Sequence, residues 1–267
     1  MRRIVAALLA ALAVAGCDGQ PDPRPAGSAS PAAWSAPPAD GTFDYQLGGA
    51  YEPAAGVRIV DRDRTAAAVP GVYGICYVNA FQTQPGENGW WRREHPDLVL
   101  RVADPDWPGE FLLDISTAAK RQALAEIVEG WFGDCAAKGF RAVEPDNLDS
   151  YTRSGGRLAE GDALAYGRLL VEKAHTAGLA IGQKNAAEVD GRALGFDFAV
   201  TEECAVHDEC GAYLDAYGNQ VYEIEYTDNG AEAYRRACRD HGARIAVILR
   251  DRDVVPRGEA GYHYESC

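Results

Sequence analysis

At residues 143–151 the chain reads Val-Glu-Pro-Asp-Asn-Leu-Asp-Ser-Tyr, directly after the mostly apolar run 140–143. Three carboxylates and one amide fall within residues 144–149. Pro145 lacks an N–H, so this segment is a poor continuation of a central strand or a helix. The pattern indicates a buried strand whose end projects acids into a loop, where clustered carboxylates acquire separate pKa values suited to acid–base chemistry. The alternative is a helix N-terminus capped by Asp146 or Asp149.

Around this stretch, residues 41–267 alternate short apolar runs with amphipathic segments. Helical spacing predicts helices over 120–131, 162–177 and 231–241, the last two followed by glycine. Alternating strands and helices imply a parallel sheet, and this length suits an α/β fold of the (β/α)₈ TIM-type barrel with one extra strand. A doubly wound open sheet is the alternative, but no Gly-x-Gly-x-x-Gly supports it. The predicted strands are 45–47, 57–60, 72–78, 111–115, 142–144, 180–184, 198–202, 221–225 and 244–249.

Polar and acidic residues stand at the ends of these strands, where the catalytic groups of a barrel lie. A carboxylic acid and a carboxylate on one rim are the equipment of glycoside hydrolysis. The motifs of serine hydrolases, zinc proteases and phosphate loops do not occur in the chain. The predicted strand-end residues are Asp61, Asp63, Tyr77, Asn79, Asp114, Glu144, Asp146, Asn147, Lys184, Asn185, Glu202, Glu203, Glu225, Tyr226 and Asp228.

Aromatic residues and one histidine add to this rim. Trp90, Trp91 and Trp107 fall in the loop region after the third strand, where they could hold sugar rings or pack against the core. His207 is the only histidine near the predicted rim, and we interpret it as a ligand contact.

The N-terminus has the pattern of an exported lipoprotein. Arg2 and Arg3 precede an apolar stretch that is too short for a comfortable membrane span, and Val-Ala-Gly-Cys17 follows. Residues 1–16 are thus predicted to be a signal peptide and Cys17 the lipidated residue; an ordinary secretory signal is the alternative. Residues 17–40 contain six prolines among Ala, Ser and Gly, which predicts a tether. Residues 41–267 then form one domain.

Six cysteines remain after Cys17, an even number that suggests three disulfides in an exported chain. We predict Cys204–Cys210 as a small loop clamp and Cys238–Cys267 as a bond that fixes the C-terminus, which leaves Cys76–Cys135. The alternative is a metal site around Cys204 and Cys210 with His207, but no second Cys/His pair accompanies it. We therefore expect no metal.

The chain is acidic, with a formal net charge of −14. An acidic surface does not favour nucleic acid or anionic lipid, and it suits a cationic ligand or simply solubility. Contact with a membrane is therefore expected only through the N-terminal lipid, and the domain is expected to be a monomer.

A set of motifs in fixed order then points to a family. The set resembles glycoside hydrolase family 114, the endo-α-1,4-polygalactosaminidase-like proteins, over about residues 43–228. Its most specific members are Glu144-Pro145-Asp146-Asn147 and Glu202-Glu203-Cys204. The supporting motifs are Cys76-Tyr77-Val78-Asn79, Trp107-Pro108-Gly109-Glu110, Leu113-Asp114-Ile115, Gly182-Gln183-Lys184-Asn185, Glu209-Cys210 and Glu225-Tyr226.

The resemblance implies a TIM-type barrel that cleaves α-1,4-linked galactosamine in partly deacetylated polymers, without a cofactor. It implies Asp146 as nucleophile and Glu203 as acid/base, with Glu202 as the competing neighbour, because only one of two successive residues faces the barrel mouth in regular strand geometry. Retention of configuration would place the two carboxyl groups ~5–5.5 Å apart. The implied substrate-binding residues are Asp61, Tyr77, Asp114, Glu144, Asn147, Lys184, Asn185, Glu202, Glu225 and Tyr226.

A deacetylated polymer is cationic, so a cleft lined by Asp61, Asp114, Glu144 and Glu225 would attract it, with Lys184 paired to a rim carboxylate. Three hypotheses follow: an exported endo-glycosidase, a non-catalytic glycan-binding lipoprotein that uses the same cleft, and a metal-dependent hydrolase centred on the acids. The carboxyl separation distinguishes the first two, and activity in the presence of a chelator excludes the third.

Overall fold

The computed structural model describes residues 34–39, 41–105 and 107–267. The predicted signal peptide, the lipidation residue Cys17 and the tether up to residue 33 lie outside the described residues. The part that is described contains no helix long and apolar enough to cross a membrane.

Strands and helices alternate along most of the described chain. The strands are β1 (Phe43–Tyr45), β2 (Ile59–Asp63), β3 (Tyr73–Asn79), β4 (Val99–Ala103), β5 (Phe111–Leu113), β6 (Ala142–Asp146), β7 (Ala180–Lys184), β8 (Phe198–Glu202), β9 (Val221–Tyr226), β10 (Ala246–Arg250) and β11 (Tyr264–Ser266). The α-helices are α1 (Asn88–Glu94), α2 (Ala118–Ala137), α3 (Glu160–Thr176), α4 (Gly191–Leu194), α5 (Cys204–His207), α6 (Cys210–Tyr217) and α7 (Glu232–His241), and short 3₁₀ helices lie at Pro85–Glu87, Ser150–Arg153 and Thr227–Asn229.

Nine strands form one nearly closed, barrel-shaped sheet in the order β1-β2-β3-β6-β7-β8-β9-β10-β11. The first eight pair in parallel, and β11 pairs antiparallel with β10. The predicted barrel with one extra strand is therefore confirmed. At the seam, Tyr264 of β11 donates a hydrogen bond to the carbonyl of Phe43 at 2.8 Å, and the buried Arg250 of β10 donates to the carbonyl of Tyr45. Side chains thus help to join the two ends of the sheet.

Eight of the nine predicted strands are the eight parallel strands, with shifted ends. The ninth, 111–115, was expected in the barrel, but β5 instead pairs antiparallel with β4 in a separate hairpin. The true extra strand, β11, was not predicted. An apolar run indicates a strand but not its pairing partner, which is set by the chain's path in space. Pro145 also fits within β6, where it lies beside Val78 of β3.

Two apolar layers support the barrel. Alternate residues of the strands fill its interior, including Phe43, Ile75 and Phe198. A second layer lies between the outer face of the sheet and the helices, where Leu124 and Val128 of α2 are fully buried. The i, i+4 spacing of these two residues places them on one face of the helix. The strands are thus apolar on both faces, as is typical of a parallel sheet.

The three predicted disulfides are confirmed. Cys76–Cys135 joins β3 to α2, Cys204–Cys210 closes a short loop between α5 and α6, and Cys238–Cys267 joins α7 to the end of the chain. Such bonds are typical of exported proteins.

Residues 34–39, which the composition assigned to the tether, contact the N-terminal end of the barrel. The Trp34 ring stacks on His175 at 3.7 Å between centroids and donates a hydrogen bond to Asp197 at 3.2 Å. Tyr73, at the start of β3, donates to the carbonyl of Ser35. The chain therefore enters the domain at the end of the barrel opposite to the C-terminal ends of the strands.

Candidate active site

Four neighbouring barrel strands end in polar residues. The last residues of β6, β7, β8 and β9 are Asp146, Lys184, Glu202 and Tyr226. Because side chains alternate along a strand, each of these points inward, toward the mouth of the barrel. Together they line a cleft of about 520 Å³ at the C-terminal ends of the strands.

Lys184 is the centre of this group and is only 3% exposed. Its Nζ lies 2.8 Å from Oε1 of Glu144, 3.6 Å from Oδ1 of Asp146 and 3.3 Å from Oε2 of Glu202. It also donates a hydrogen bond to the hydroxyl of Tyr45 at 2.9 Å. Burial lowers the pKa of Lys184, but the surrounding carboxylates outweigh burial and raise that pKa well above its ordinary value. Lys184 is therefore a fixed cation among acids.

Asp146 and Glu202 flank this ammonium group at the rim. Since both contact Nζ of Lys184, their nearest oxygens can be no further apart than those two contacts, 3.6 Å and 3.3 Å, placed end to end. This upper limit is smaller than the largest separation found in glycosidase carboxyl pairs, ~9.5 Å. The two carboxylates thus lie close enough to act on one glycosidic bond.

Asp146 is held by two donors on its other side. The hydroxyl of Tyr77 donates to Oδ2 at 2.7 Å, and Nδ2 of Asn147 donates to the same oxygen at 3.2 Å. Asn147 has φ +69°, in the left-handed region that asparagine tolerates better than most residues. This backbone turn directs its amide back toward Asp146. The carboxylate is therefore oriented with Oδ1 toward Lys184.

Glu202 is held by a similar set of donors. The hydroxyl of Tyr226 donates to Oε1, and Nδ2 of Asn185 donates to Oε2 at 3.1 Å. Asn185 also accepts the backbone N–H of Glu202 at 2.8 Å, so the two residues are bonded in both directions. Burial raises the pKa of Glu202, but Lys184, Tyr226 and Asn185 outweigh it and lower that pKa below its ordinary value. The free protein therefore holds Glu202 as a carboxylate.

Glu203 also lines the cleft, although it follows Glu202 directly. Its φ of +61° takes it out of strand geometry, so the alternation of faces no longer applies. Arg252 binds it with both terminal nitrogens, at 2.6 Å to Oε1 and 3.0 Å to Oε2, and Asn229 donates to Oε1. The charge of Glu203 is thus balanced by a bidentate ion pair with Arg252 on the cleft wall, and Glu203 is not one of the acids that contact Lys184.

The four acids predicted to line the cleft lie elsewhere. Asp61 and Glu144 point into the barrel but lie below the cleft and are fully buried. Asp114 follows the separate hairpin, where its carboxylate contacts the start of α2. Glu225 lies on the outer face of β9 and accepts the backbone N–H of Ala205 at 3.0 Å. A one-residue shift along a strand reverses the face, and a two-residue shift changes the depth, so inexact strand ends misplace acids in both ways.

The cleft also contains Glu110 and Gln82, which sequence reasoning did not assign to it, and Trp107, which was one of three tryptophans considered for the rim. Oε2 of Glu110 accepts hydrogen bonds from Asn79 at 3.0 Å and Gln82 at 2.7 Å, and burial raises the pKa of Glu110. Trp107 is 55% exposed at the cleft margin, whereas Trp91 is buried in the core. Glu110 and Trp107 belong to the β4–β5 hairpin region, and Arg252 and Asp253 belong to the loop after β10. Only the tertiary structure brings these segments to the rim. Glu110 and Trp107 had been noted in the sequence as parts of one motif.

A second cavity of about 280 Å³ adjoins the first and shares Glu202 and Glu203 with it. Its other acids are Asp149, Glu188 and Glu209, and the predicted ligand contact His207 also lines it. The main cleft carries the carboxylates of Asp63, Glu110, Asp146, Glu202, Glu203 and Asp253 against two cations, Lys184 and Arg252. The described walls of both cavities are therefore predominantly acidic, which favours a cationic ligand.

The rival metal site does not have a suitable donor set. The predicted alternative combined Cys204 and Cys210 with His207, whereas the described residues that place their ligand atoms close together are Cys204, Cys210 and Glu223. The two sulfur atoms, however, form a disulfide and are not thiolates, the form that binds zinc.

Comparisons with known proteins agree with this geometry. The model of glycoside hydrolase family GH114 matches residues 24–267. A crystal structure of Aspergillus fumigatus Ega3 in complex with galactosamine is similar, with a TM-score of 0.70, 25% identity, and coverage of 90% of this chain and 100% of that chain. The glycoside hydrolase domain of PelA from Pseudomonas aeruginosa shares the fold, with a TM-score of 0.57, 15% identity, and coverage of 82% and 97%. The comparison with curated proteins gave no match.

Proposed function

Because the chain belongs to glycoside hydrolase family GH114, we propose that it is an exported, endo-acting enzyme that hydrolyses α-1,4-galactosaminidic bonds in a cationic, galactosamine-containing polysaccharide. The family resemblance inferred from the motifs and the assignment as a glycoside hydrolase are both confirmed by this match. One observation carries the specific proposal: Asp146 and Glu202 flank Lys184 at the floor of an acidic cleft. The galactosamine bound to Ega3 supports an amino sugar as the substrate.

Asp146 and Glu202 would act as the two catalytic carboxylates. Asp146, oriented by Tyr77, attacks the anomeric carbon and forms a covalent glycosyl–enzyme intermediate. Glu202, a carboxylate in the free protein, must take up a proton as the substrate binds and excludes water, and it gives that proton to the departing glycosidic oxygen. It then removes a proton from the water that hydrolyses the intermediate, so the configuration is retained. Lys184 holds both groups in place throughout the two steps.

Glu202 is a better candidate for acid/base than Glu203, which the family resemblance first suggested. Glu202 lies across Lys184 from Asp146, within reach of the same bond. Both carboxylate oxygens of Glu203 are held by the two terminal nitrogens of Arg252, so neither is free to face the glycosidic oxygen. We assign Glu203 and Arg252 to the wall of a neighbouring sugar site.

Deacetylated galactosamine carries an ammonium group near neutral pH, and the acidic cleft walls would attract it. Charge complementarity of this kind raises the rate of encounter and loses strength as ionic strength rises. Buried N-acetyl groups would instead place uncharged amides against carboxylates. The cleft therefore favours deacetylated stretches of the polymer.

The test of this function is product analysis with defined polymers. The purified protein is incubated with fully deacetylated and fully N-acetylated α-1,4-galactosamine polymers, and the products are separated by mass. We expect internal cleavage of the deacetylated polymer to short oligomers, with hydrolysis unchanged by a chelator. Binding of the deacetylated polymer without any cleavage would instead support the non-catalytic glycan-binding alternative.

Trp107 is expected to be a stacking surface for a sugar ring. It is exposed at the cleft margin, where an aromatic face can cover the apolar side of a pyranose. Replacing Trp107 with alanine should raise KM about tenfold, or roughly 1.4 kcal/mol, and leave kcat within about twofold. Trp34, exposed at the opposite end of the barrel, is the matched control, and Trp34→Ala should leave KM unchanged. Equal KM values for wild type and Trp107→Ala would contradict the role.

Export and the lipid on Cys17 are also part of the proposal. The three disulfides and the signal-like N-terminus support export. The mass of the mature N-terminal peptide distinguishes the readings, because a lipidated chain begins at a modified Cys17 and an ordinary secreted chain does not.

A further inference from the structure

Two carboxyl groups lie beneath the catalytic floor and take no part in the mechanism described above. Asp61 of β2 and Glu144 of β6 are both 0% exposed. Their strands lie on either side of β3, and both side chains point into the barrel. Oε1 of Glu144 contacts Nζ of Lys184 at 2.8 Å, and the hydroxyl of Tyr45 donates to the same oxygen at 3.4 Å. Glu144 is therefore the lower anchor of Lys184.

The remaining oxygens of this pair have no conventional hydrogen-bond donor. Within the described residues, Oδ1 and Oδ2 of Asp61 and Oε2 of Glu144 are buried and unpartnered. A buried, unpaired carboxylate is costly, because it loses the hydration of a full charge. Two such groups side by side add their mutual repulsion. One proton placed between them removes both costs, because an O–H of one carboxyl group can donate to the other.

The charge balance of the cluster identifies which group carries that proton. Glu144, Asp146 and Glu202 each contact the ammonium of Lys184, whereas no ion pair to Asp61 is present among the described residues. Burial and the adjoining charge of Glu144 raise the pKa of Asp61 well above its ordinary value, and the opposing effect of Lys184 is smaller. The neutral form therefore belongs to Asp61.

We propose that Asp61 is a neutral carboxylic acid whose O–H donates a hydrogen bond to Oε2 of Glu144, and that this buried pair positions Lys184 between the two catalytic carboxylates. The inference rests on the proposed function for its catalytic consequence, but not for the protonated pair itself. Asp61 is thus a positioning residue that acts through Glu144 and Lys184. Because Asp61 is neutral in this proposal, it does not compete with Glu144 for Lys184, and the negative charge of Glu144 holds the ammonium group from below.

Other ionisable groups lie on the surrounding strands, either against this pair or against the groups that contact it. Lys184 is the nearest cation, and an ionised Asp61 would pull it downward, away from the rim. The groups are Tyr45 of β1, Tyr77 of β3, Asp146 of β6, Lys184 of β7, Glu202 of β8, Tyr226 of β9 and Arg250 of β10.

Infrared difference spectroscopy tests the proton directly. At neutral pH the wild type should show the C=O stretch of a protonated carboxylic acid, and the isosteric Asp61→Asn should lack that band. Glu223, beside Glu225 on the outer face of β9, is a second buried acid whose pKa burial raises, and Glu223→Gln is the matched control. The Asp61 band should persist in Glu223→Gln. An unchanged acid band in folded Asp61→Asn overturns the proposal.

Kinetics test the positioning role. Asparagine supplies a permanent N–H donor to Glu144, whereas leucine fills a similar volume without one. We expect kcat of Asp61→Leu to fall at least about tenfold below that of Asp61→Asn, with KM unchanged, because Lys184 is displaced by a fraction of an ångström. Equal kcat values for the two folded variants would refute the positioning role. The two proposals can fail separately. If Asp61→Asn removes the acid band but the wild-type protein hydrolyses no galactosamine polymer, the proposed function is refuted and the protonated pair is not.

Discussion

Replacing Glu202 with glutamine will lower kcat for hydrolysis of deacetylated α-1,4-galactosamine polymer by about 10²–10⁴-fold, the usual contribution of a positioned general acid–base group. The amide can still accept from Tyr226 and keep the site folded, but it cannot deliver a proton to the leaving oxygen. Asp146→Asn should be at least as damaging, because it removes the proposed nucleophile. Oligosaccharide release, measured beside thermal unfolding, gives both readouts.

The matched control is the neighbouring Glu203→Gln. Glu203 lies on the cleft wall in an ion pair with Arg252, so its loss should act mainly on KM and lower kcat by no more than about tenfold. The comparison is decisive because the two glutamates are adjacent in sequence and identical in chemistry. If Glu203→Gln is the nearly inactive variant and Glu202→Gln retains turnover, the acid/base is Glu203, as the family resemblance first suggested.

The second large effect is expected at Lys184. Replacing it with methionine keeps the length and removes the charge, which leaves Glu144, Asp146 and Glu202 without a cation in a buried site. Breaking a buried ion pair in this way costs about 3–5 kcal/mol of unfolding free energy at neutral pH. Lys173 pairs with Glu129 on the surface, and Lys173→Met should cost only about 0–1 kcal/mol. Chemical denaturation of both variants measures the difference.

The pH dependence of this loss has a defined sign. Lys184 helps to lower the folded-state pKa of Glu202, so the stability that this interaction contributes is present above the unfolded pKa of glutamate, about 4.3. It is lost as the pH falls through the lower folded pKa. The gap between wild type and Lys184→Met should therefore be widest at neutral pH and narrow in acid. A gap that is constant from neutral to acid pH would show that lost packing, not charge, explains the destabilisation.

Much of the barrel follows from local pattern, since apolar runs and helical spacing located all eight parallel strands and the three main helices. Asp146, Lys184 and Glu202 were also identified, because each ends a strand and strand ends meet at one rim. The sequence did not predict that Asp61 and Glu144 lie below the cleft inside the barrel. A shift of two residues along a strand moves a side chain from the rim to the interior, and the strand ends were not predicted that accurately. The placement of Asp114 failed for another reason: its strand belongs to a hairpin outside the barrel.

Backbone conformation set a further limit. The left-handed turn at Glu203 lets two successive residues face one cleft, which strand periodicity forbids. Arg252, which binds Glu203, lies in the loop after β10, far along the chain. Such contacts arise only when the barrel closes.

The stacking of Trp34 on His175 has a mechanical consequence. Force applied through the N-terminus would be borne first by this aromatic pair and by the bond from Tyr73 to Ser35, at the base of the barrel. The catalytic rim lies on the far side, and the stiff strands between them would share the load. A pull on the N-terminal chain should therefore reach the base of the barrel before it reaches Asp146 and Glu202 at the rim.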